Sequence, residues 1–380
     1  MQWIFYIIFI VVFFLIGVLQ FIGVSITLFS YILTILVAVG VLLVFLIRKE
    51  ITINSYMIAN FCLLLWIAIS GIANHTHPSL IINYLSFVII PVSIYLFVRS
   101  INIDVSTLKF LINGLIIIQL PVLCLQYFLP DYILYSQKLI APIDRMFGTL
   151  PLSSDHFLSF FLIMNILYIG TKKYLLTFFD YFIILYSIAC ISLTNSTTSY
   201  LFLISTLVYI LFLRSNIYFK TYSIIISVGV LVFLYFNIYE VLGLLRKPEL
   251  LDMTNTKYIS EGTAGRFQTF YFVFSNKLSI FGNGPSSYYN PFMGGFQLNA
   301  NFSQLLWFYY DLGVMGLILL ISLISSFLYS FNIEKHMRIY LFILILAYSF
   351  SSTILDQLAF ILILNIFVSL FEKRRLDNII

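Results

Sequence analysis

Apolar runs of about twenty residues recur along the whole chain, and few folds can accommodate them. A helix needs roughly 20 apolar residues to cross the hydrocarbon core of a bilayer. The runs here are continuous rather than alternating, so they read as helices and not as barrel strands. Twelve such segments are predicted: 2–22, 25–47, 51–73, 79–98, 106–129, 151–170, 174–194, 197–213, 221–240, 302–329, 338–353 and 356–371. Composition agrees. Of 380 residues, 62% are hydrophobic and only 9% are charged. A water-soluble fold cannot hide that much apolar surface behind so few charges. This excludes a soluble enzyme, a nucleic-acid-binding domain and a disordered chain. The expected fold is all-α, a polytopic integral membrane protein with 1–380 as a single membrane domain. Met1–Phe21 has no Lys or Arg ahead of its apolar run and no small-x-small cleavage pattern, so it reads as a retained span. Cys62, Cys124 and Cys190 each lie in an apolar run, far from any metal or redox spacing, and read as small hydrophobes.

The cations set the expected orientation. With the N-terminus inside, the inner loops and tail hold thirteen Lys and Arg: Arg48, Lys49, Arg99, Lys109, Lys172, Lys173, Arg214, Lys220, Lys335, Arg338, Lys373, Arg374 and Arg375. The outer loops hold seven, five of them in one long loop, where charge bias has little influence on topology. Both termini are therefore expected inside. Two outer loops stand out, Pro130–Leu150 and the long loop 246–298 between the ninth and tenth spans. Within the latter, Phe267, Phe270, Tyr271, Phe274 and Leu278 recur at helical spacing, which predicts a short helix on the outer membrane surface. No internal repeat is visible, so an inverted-repeat transporter gains no support.

Soluble catalytic motifs are absent: there is no Walker loop, HExxH, GxSxG, CxxC or Asp-x-Asp. No metal site and no cofactor is expected. Polar residues of the outer face carry the interest instead. Arg145 precedes Met-Phe-Gly148-Thr-Leu-Pro151, and Arg266 follows Gly265. A permanently charged planar fork suits a phosphate or diphosphate, and the adjacent glycines permit close backbone approach. The bland account is that both arginines meet lipid headgroups or neighbouring acids. Gly282-Asn-Gly284-Pro285 is either an anion- or sugar-binding turn or an ordinary turn, the ordinary turn being the commoner case. Asp155-His156 opens the sixth span, and His is a natural general base near neutral pH. Asp311 lies about ten residues into the tenth span, ahead of Gly313 and Gly316, where an unpaired carboxylate is costly. Asp180, near the inner end of the seventh span, reads as structural. Gln297, Asn299, Asn301, Ser303 and Gln304 supply the amides and hydroxyls that sugar hydroxyls require.

Three stretches resemble the O-antigen polymerase and O-antigen ligase superfamily of bacterial envelopes. They are Arg145 through Pro151 into Asp155, Thr194-Asn-Ser196-Thr-Thr-Ser, and Gly265-Arg266 through Gly282-Asn-Gly284 to Phe302-Ser-Gln-Leu-Leu-Trp-Phe-Tyr-Tyr-Asp311-Leu-Gly313-Val-Met-Gly316. The resemblance covers roughly 140–320 and includes the long outer loop. It implies a GT-C-like fold in the bacterial inner membrane, with that loop in the periplasm. It also implies an undecaprenyl-diphosphate-linked glycan as donor and acceptor, a chain-length regulator as a further partner, and no metal. Arg145 and Arg266 match the arginines that meet the diphosphate in that family. Gly265, Gly282, Gly284, Asn299, Asn301 and Ser196 are the expected substrate contacts. Two departures matter. Family members often carry Ser-Arg where this chain has Ser196-Thr197, and ligases carry His-Asn where it has Phe302-Ser303. Loss of that His favours the polymerase branch and leaves the general base unassigned, with His156 and Asp311 as candidates. The alternatives are the ligase, which moves finished glycan to lipid A–core, and a flippase for the lipid-linked glycan.

Overall fold

The computed structural model describes residues 2–21, 39–40, 53–128, 146–150, 155–172, 175–194, 196–214, 273, 280–287, 303–355 and 357–377. Among these there are helices and no strand. We label the helices α1 (2–21, with a π-helical turn at Val11–Leu15), α2 (Ser55–Ala73), α3 (Pro78–Tyr84), α4 (Ser86–Ser100), α5 (Val105–Phe128) and α6 (Asp155–Gly170). They continue as α7 (Phe178–Leu193), α8 (Thr197–Arg214), α9 (Gln304–Tyr329), α10 (Lys335–Ser351) and α11 (Leu358–Asp377). Among the described residues, five stretches are long and apolar enough to cross a membrane: Gln2–Leu19, Ser55–Ala73, Pro78–Ser100, Val105–Phe128 and Gln304–Tyr329. The chain is a helical membrane protein. Two of the predicted segments fall elsewhere: 221–240 lies outside the described residues, as does 25–47 apart from residues 39–40.

Sequence-local signals start these helices. Asn54 caps α2, its Oδ1 accepting from the Met57 N–H at 3.0 Å. Pro78 sits in the first turn of α3, where its missing N–H costs nothing. Asp104 precedes α5 and accepts from the Ser106 and Thr107 hydroxyls and the Thr107 N–H, which hold its carboxyl below the usual range. Thr177 and Asp180 close a reciprocal capping box at α7. Asp180 thus stands in the first turn of that helix, paired with Lys172 at 2.5 Å, rather than deep in a span.

The helices are inside out relative to a soluble bundle. On α2 the exposed stripe is Ile58, Phe61, Leu65, Ile69 and Ile72, while Asn60, Ser70 and Gly71 face inward. Lipid is the solvent that makes such a surface stable. The centre is the pair α6 and α11. Their apolar residues are buried around the full circumference, and Phe160 stacks on Phe360 at 4.3 Å. Around this pair, α7 and α8 lie against α6, α4 lies against α11, and α9 lies against α2 and α10.

Contacts give each helix a direction. Gln2 and Lys373 both donate to the Asn102–Ile103 loop, so the two termini of the described chain share one end of the bundle. Cations collect there. Arg99 pairs with Glu372 at 2.6 Å, Arg214 donates to the Gly170 carbonyl at 2.7 Å, and Arg375 donates to the Ile333 carbonyl at 2.7 Å. Guanidiniums on helix C-terminal carbonyls match the negative end of the helix dipole. Helices α1 and α2 both run away from this cation-rich end, since Phe5 meets Phe97 while Gly17 meets Thr149, and Asn54 meets Tyr95 while Asn74 meets Gly284. Helices α8 and α9 both run toward it, ending at Arg214 and at Ser330, whose carbonyl accepts from Arg99.

Candidate functional site

Of the polar residues singled out by sequence, His156, Ser196, Gly282, Gly284 and Asp311 lie at the opposite end of the bundle. Helix α9 is not one continuous crossing. Gly313 has φ 71° and ψ −162°, a conformation open to glycine and little else, and it breaks the helix there. A helix that stops leaves its last carbonyls without donors. Here they are taken up from outside. The Asn283 N–H and side chain donate to the Tyr310 carbonyl at 3.0 and 3.1 Å, the Gly284 N–H to the Asp311 carbonyl at 2.9 Å, and the Trp66 indole to the Leu312 carbonyl at 2.9 Å. The Gly282-Asn-Gly284 turn is therefore the lid of a broken helix. Its two glycines have φ of 71° and 98°. A methyl group on Gly282 would stand 2.3 Å from the Asp311 carbonyl oxygen, and one on Gly284 would stand 2.3 Å from the Thr76 hydroxyl.

Asp311 joins the two parts. It is fully buried, and its carboxylate accepts from the Ser286 N–H at 2.9 Å, the Ser287 hydroxyl at 2.8 Å and the Trp307 indole at 2.7 Å. A buried carboxylate is stable only when so supplied. Ser70 donates to the Phe281 carbonyl at 2.7 Å, and Trp66 stacks on Phe281 at 5.3 Å, so α2 holds the same loop from the side. The sequence reading placed Asp311 deep in a span; the break at Gly313 places it at the junction of helix and loop.

His156, in the first turn of α6, has Nδ1 3.3 Å from the Ser196 hydroxyl, which also accepts weakly from the Ser199 N–H at 3.4 Å. One turn further in, the Ser159 and Thr194 hydroxyls are 3.4 Å apart. Two of the stretches that carry the resemblance thus meet side by side.

The residues that follow Arg145 are held by amides that the sequence reading passed over. Gln119 and Gln126 lie two turns apart on the same face of α5 and are buried. Gln126 Oε1 accepts from the Gly148 N–H at 3.0 Å, and Gln119 Oε1 accepts from the Thr149 N–H at 2.9 Å. Thr149 Oγ1 accepts from Gln119 at 2.7 Å and donates to the Phe13 carbonyl at 2.6 Å. Phe13 lies in the π-helical turn of α1, and its carbonyl takes the Thr149 hydroxyl there. Met146 to Leu150 are buried as a result. The signal was present in sequence: two lone glutamines seven residues apart in an apolar helix require partners. Thr149→Val should strand the Phe13 carbonyl and a Gln119 N–H together. We expect a loss of about 3 kcal/mol, read as a lower midpoint in thermal unfolding of the detergent-purified protein, whereas Thr149→Ser should stay close to wild type.

Arg145, Arg266, Gly265, Asn299 and Asn301 lie outside the described residues, as does the stripe from Phe267 to Leu278. Among the described residues no group of three His, Cys, Asp or Glu is arranged to hold a metal. Comparison with known family models, curated proteins and solved structures finds no match to this chain.

Proposed function

We propose that this protein is a polymerase of O-antigen or a related surface polysaccharide, joining undecaprenyl-diphosphate-linked repeat units at the periplasmic face of the inner membrane. The observation that carries this reading is that two polar clusters, His156 with Ser196 and the Gly282–Gly284 turn with Asp311, both lie at the end of the bundle away from the cations. By the positive-inside rule that end faces the periplasm. Parallel α1 and α2, and parallel α8 and α9, are what a twelve-span chain with both termini in the cytoplasm requires.

The chemistry follows from the substrate. An acceptor hydroxyl attacks the anomeric carbon, the bond from that carbon to the diphosphate breaks, and the lipid diphosphate leaves with its electron pair. Arg145 and Arg266 meet the charge as it grows on the leaving group. The hydroxyl proton needs an acceptor, and His156 beside Ser196 is the titratable candidate. Asp311 serves better as a positioning residue, because its carboxylate is engaged by Ser286, Ser287 and Trp307.

A ligase wants a base at the start of α9. Ser303 there caps the helix, accepting from the Leu306 N–H at 3.3 Å. The test is an assay of the purified protein with its lipid-linked repeat unit alone, with and without chelator. Polymerisation predicts products lengthened by whole repeats and indifferent to chelation. A substrate that stays unchanged alone, and whose glycan moves to lipid A–core without lengthening when that acceptor is added, would move the assignment to the ligase.

A further inference from the structure

A cavity of about 540 Å³ opens at the cation-rich end, between the C-terminal ends of α6, α8 and α11 and the start of α10. Its polar wall is Lys172, Arg214, Arg374, Arg375, His336 and Glu334. The arginines are anchored by neutral acceptors. Arg214 donates to the Gly170 and Lys172 carbonyls at 2.7 and 2.9 Å, Arg374 to the Thr171 hydroxyl at 3.0 Å, and Arg375 to the Ile333 carbonyl at 2.7 Å. Arg374 also lies over the Tyr168 ring at 3.9 Å, which fixes its plane. Such anchors orient a guanidinium without neutralising it. Two carboxylates stand nearby: Asp180 takes Lys172 at 2.5 Å, and Glu334, on the cavity wall, stands 3.0 Å from His336 and also acts electrostatically on Arg374. Three oriented guanidiniums face one cavity-lining carboxylate, Glu334, so the wall keeps a positive excess that a bound anion would offset.

Cations that only set topology have no need to converge on a cavity; surface placement would serve equally. This cavity also has an apolar side. Leu175 (93% exposed), Leu213 and Phe371 line it with the arginines, and Phe178 (88% exposed) stands close by in the chain. A charged head with an apolar tail matches both walls. We propose that this cavity binds the phosphate headgroup of an anionic lipid from the adjoining leaflet, with the acyl chains along Leu175 and Leu213. The site lies at the opposite end from His156 and Asp311, so it stands or falls independently of the catalytic reading.

Phosphatidylglycerol is the probe. The full-length protein, stripped of lipid in detergent, is expected to retain phosphatidylglycerol in native mass spectrometry and to release phosphatidylcholine. A photoactivatable phosphatidylglycerol with its reactive group in the head should label peptides around 170–175, 334–338 and 371–375. The Arg214→Gln/Arg374→Gln variant should bind about tenfold more weakly. If that variant fails to fold, the labelling map of the wild-type protein decides alone. Labels elsewhere, or equal retention of phosphatidylcholine, would overturn the proposal. Displacement of phosphatidylglycerol by inorganic pyrophosphate would overturn the lipid assignment and hand the site to a soluble phosphate.

Discussion

Replacing Arg266 by alanine is expected to abolish chain extension while leaving the protein in the membrane at its normal level. The argument is electrostatic. Breaking a glycosidic bond to diphosphate places charge on the departing oxygens, and a guanidinium aimed there stabilises the transition state more than the ground state. Removal of one such donor costs about 3–4 kcal/mol, or roughly several hundredfold in rate. Arg145→Ala should behave alike. Lysine at either position should recover only a small part of the activity, since a point charge cannot engage two oxygens at once. Lipid-linked product resolved on a gel, with protein quantified first, gives the measurement. Product of wild-type length from either alanine variant would remove the diphosphate clamp from the mechanism. The two arginines belong to different stretches of chain, so similar losses from both would also argue that Arg145 and Arg266 serve one substrate.

The helical membrane architecture was legible because bilayer thickness imposes one length on every crossing, and apolar run length records it directly. The caps at Asn54 and Thr177 are likewise local, each a side chain bonded to backbone three residues away. The break in α9 was not legible from hydropathy. Gln304–Tyr329 reads as a single run because Leu312 and Val314 flank Gly313 with no drop in apolarity, and the break exists only because Asn283, Gly284 and Trp66 come from remote sequence to satisfy its carbonyls. The span expected at 79–98 is present as Pro78–Ser100, with a single turn residue, Leu85, between α3 and α4. In the candidate site, residue types singled out polar, glycine-rich stretches, of which those at Ser196 and at Gly282–Gly284 lie among the described residues. Roles did not follow from type. Asp311 reads as a possible base in sequence, and only the positions of Ser286, Ser287 and Trp307 reveal how its lone pairs are used. Gln119 and Gln126 show the converse: their importance lies wholly in a loop that arrives after Phe128.

Asp311→Ala is the second variant expected to have a large effect, and its comparison with Asp311→Asn separates positioning from proton transfer. Alanine removes the acceptor of three buried or half-buried donors at once. Hydrogen bonds to a charged group contribute about 1.5–3 kcal/mol each and are not additive, so a loss of about 4 kcal/mol is expected. The lost anchoring should appear locally, as faster hydrogen exchange at 281–287 and at the turn after α2, because Ser70 and Trp66 hold the same loop. Asparagine has one carbonyl oxygen, and its amide group points a donor at a donor, so it should fall between alanine and wild type. If Asp311 positions the loop, activity across the three proteins will track exchange protection at 281–287, and the pH dependence of the remaining activity will keep its shape. If Asp311 takes the proton, asparagine will be as inactive as alanine even where the loop keeps its protection, and the acidic-side limb set by protonation of that carboxylate will vanish from the pH profile. The geometry favours the first outcome: the Asp311 carboxylate already accepts from Ser286, Ser287 and Trp307, so its lone pairs are committed to holding the loop rather than open to a substrate proton.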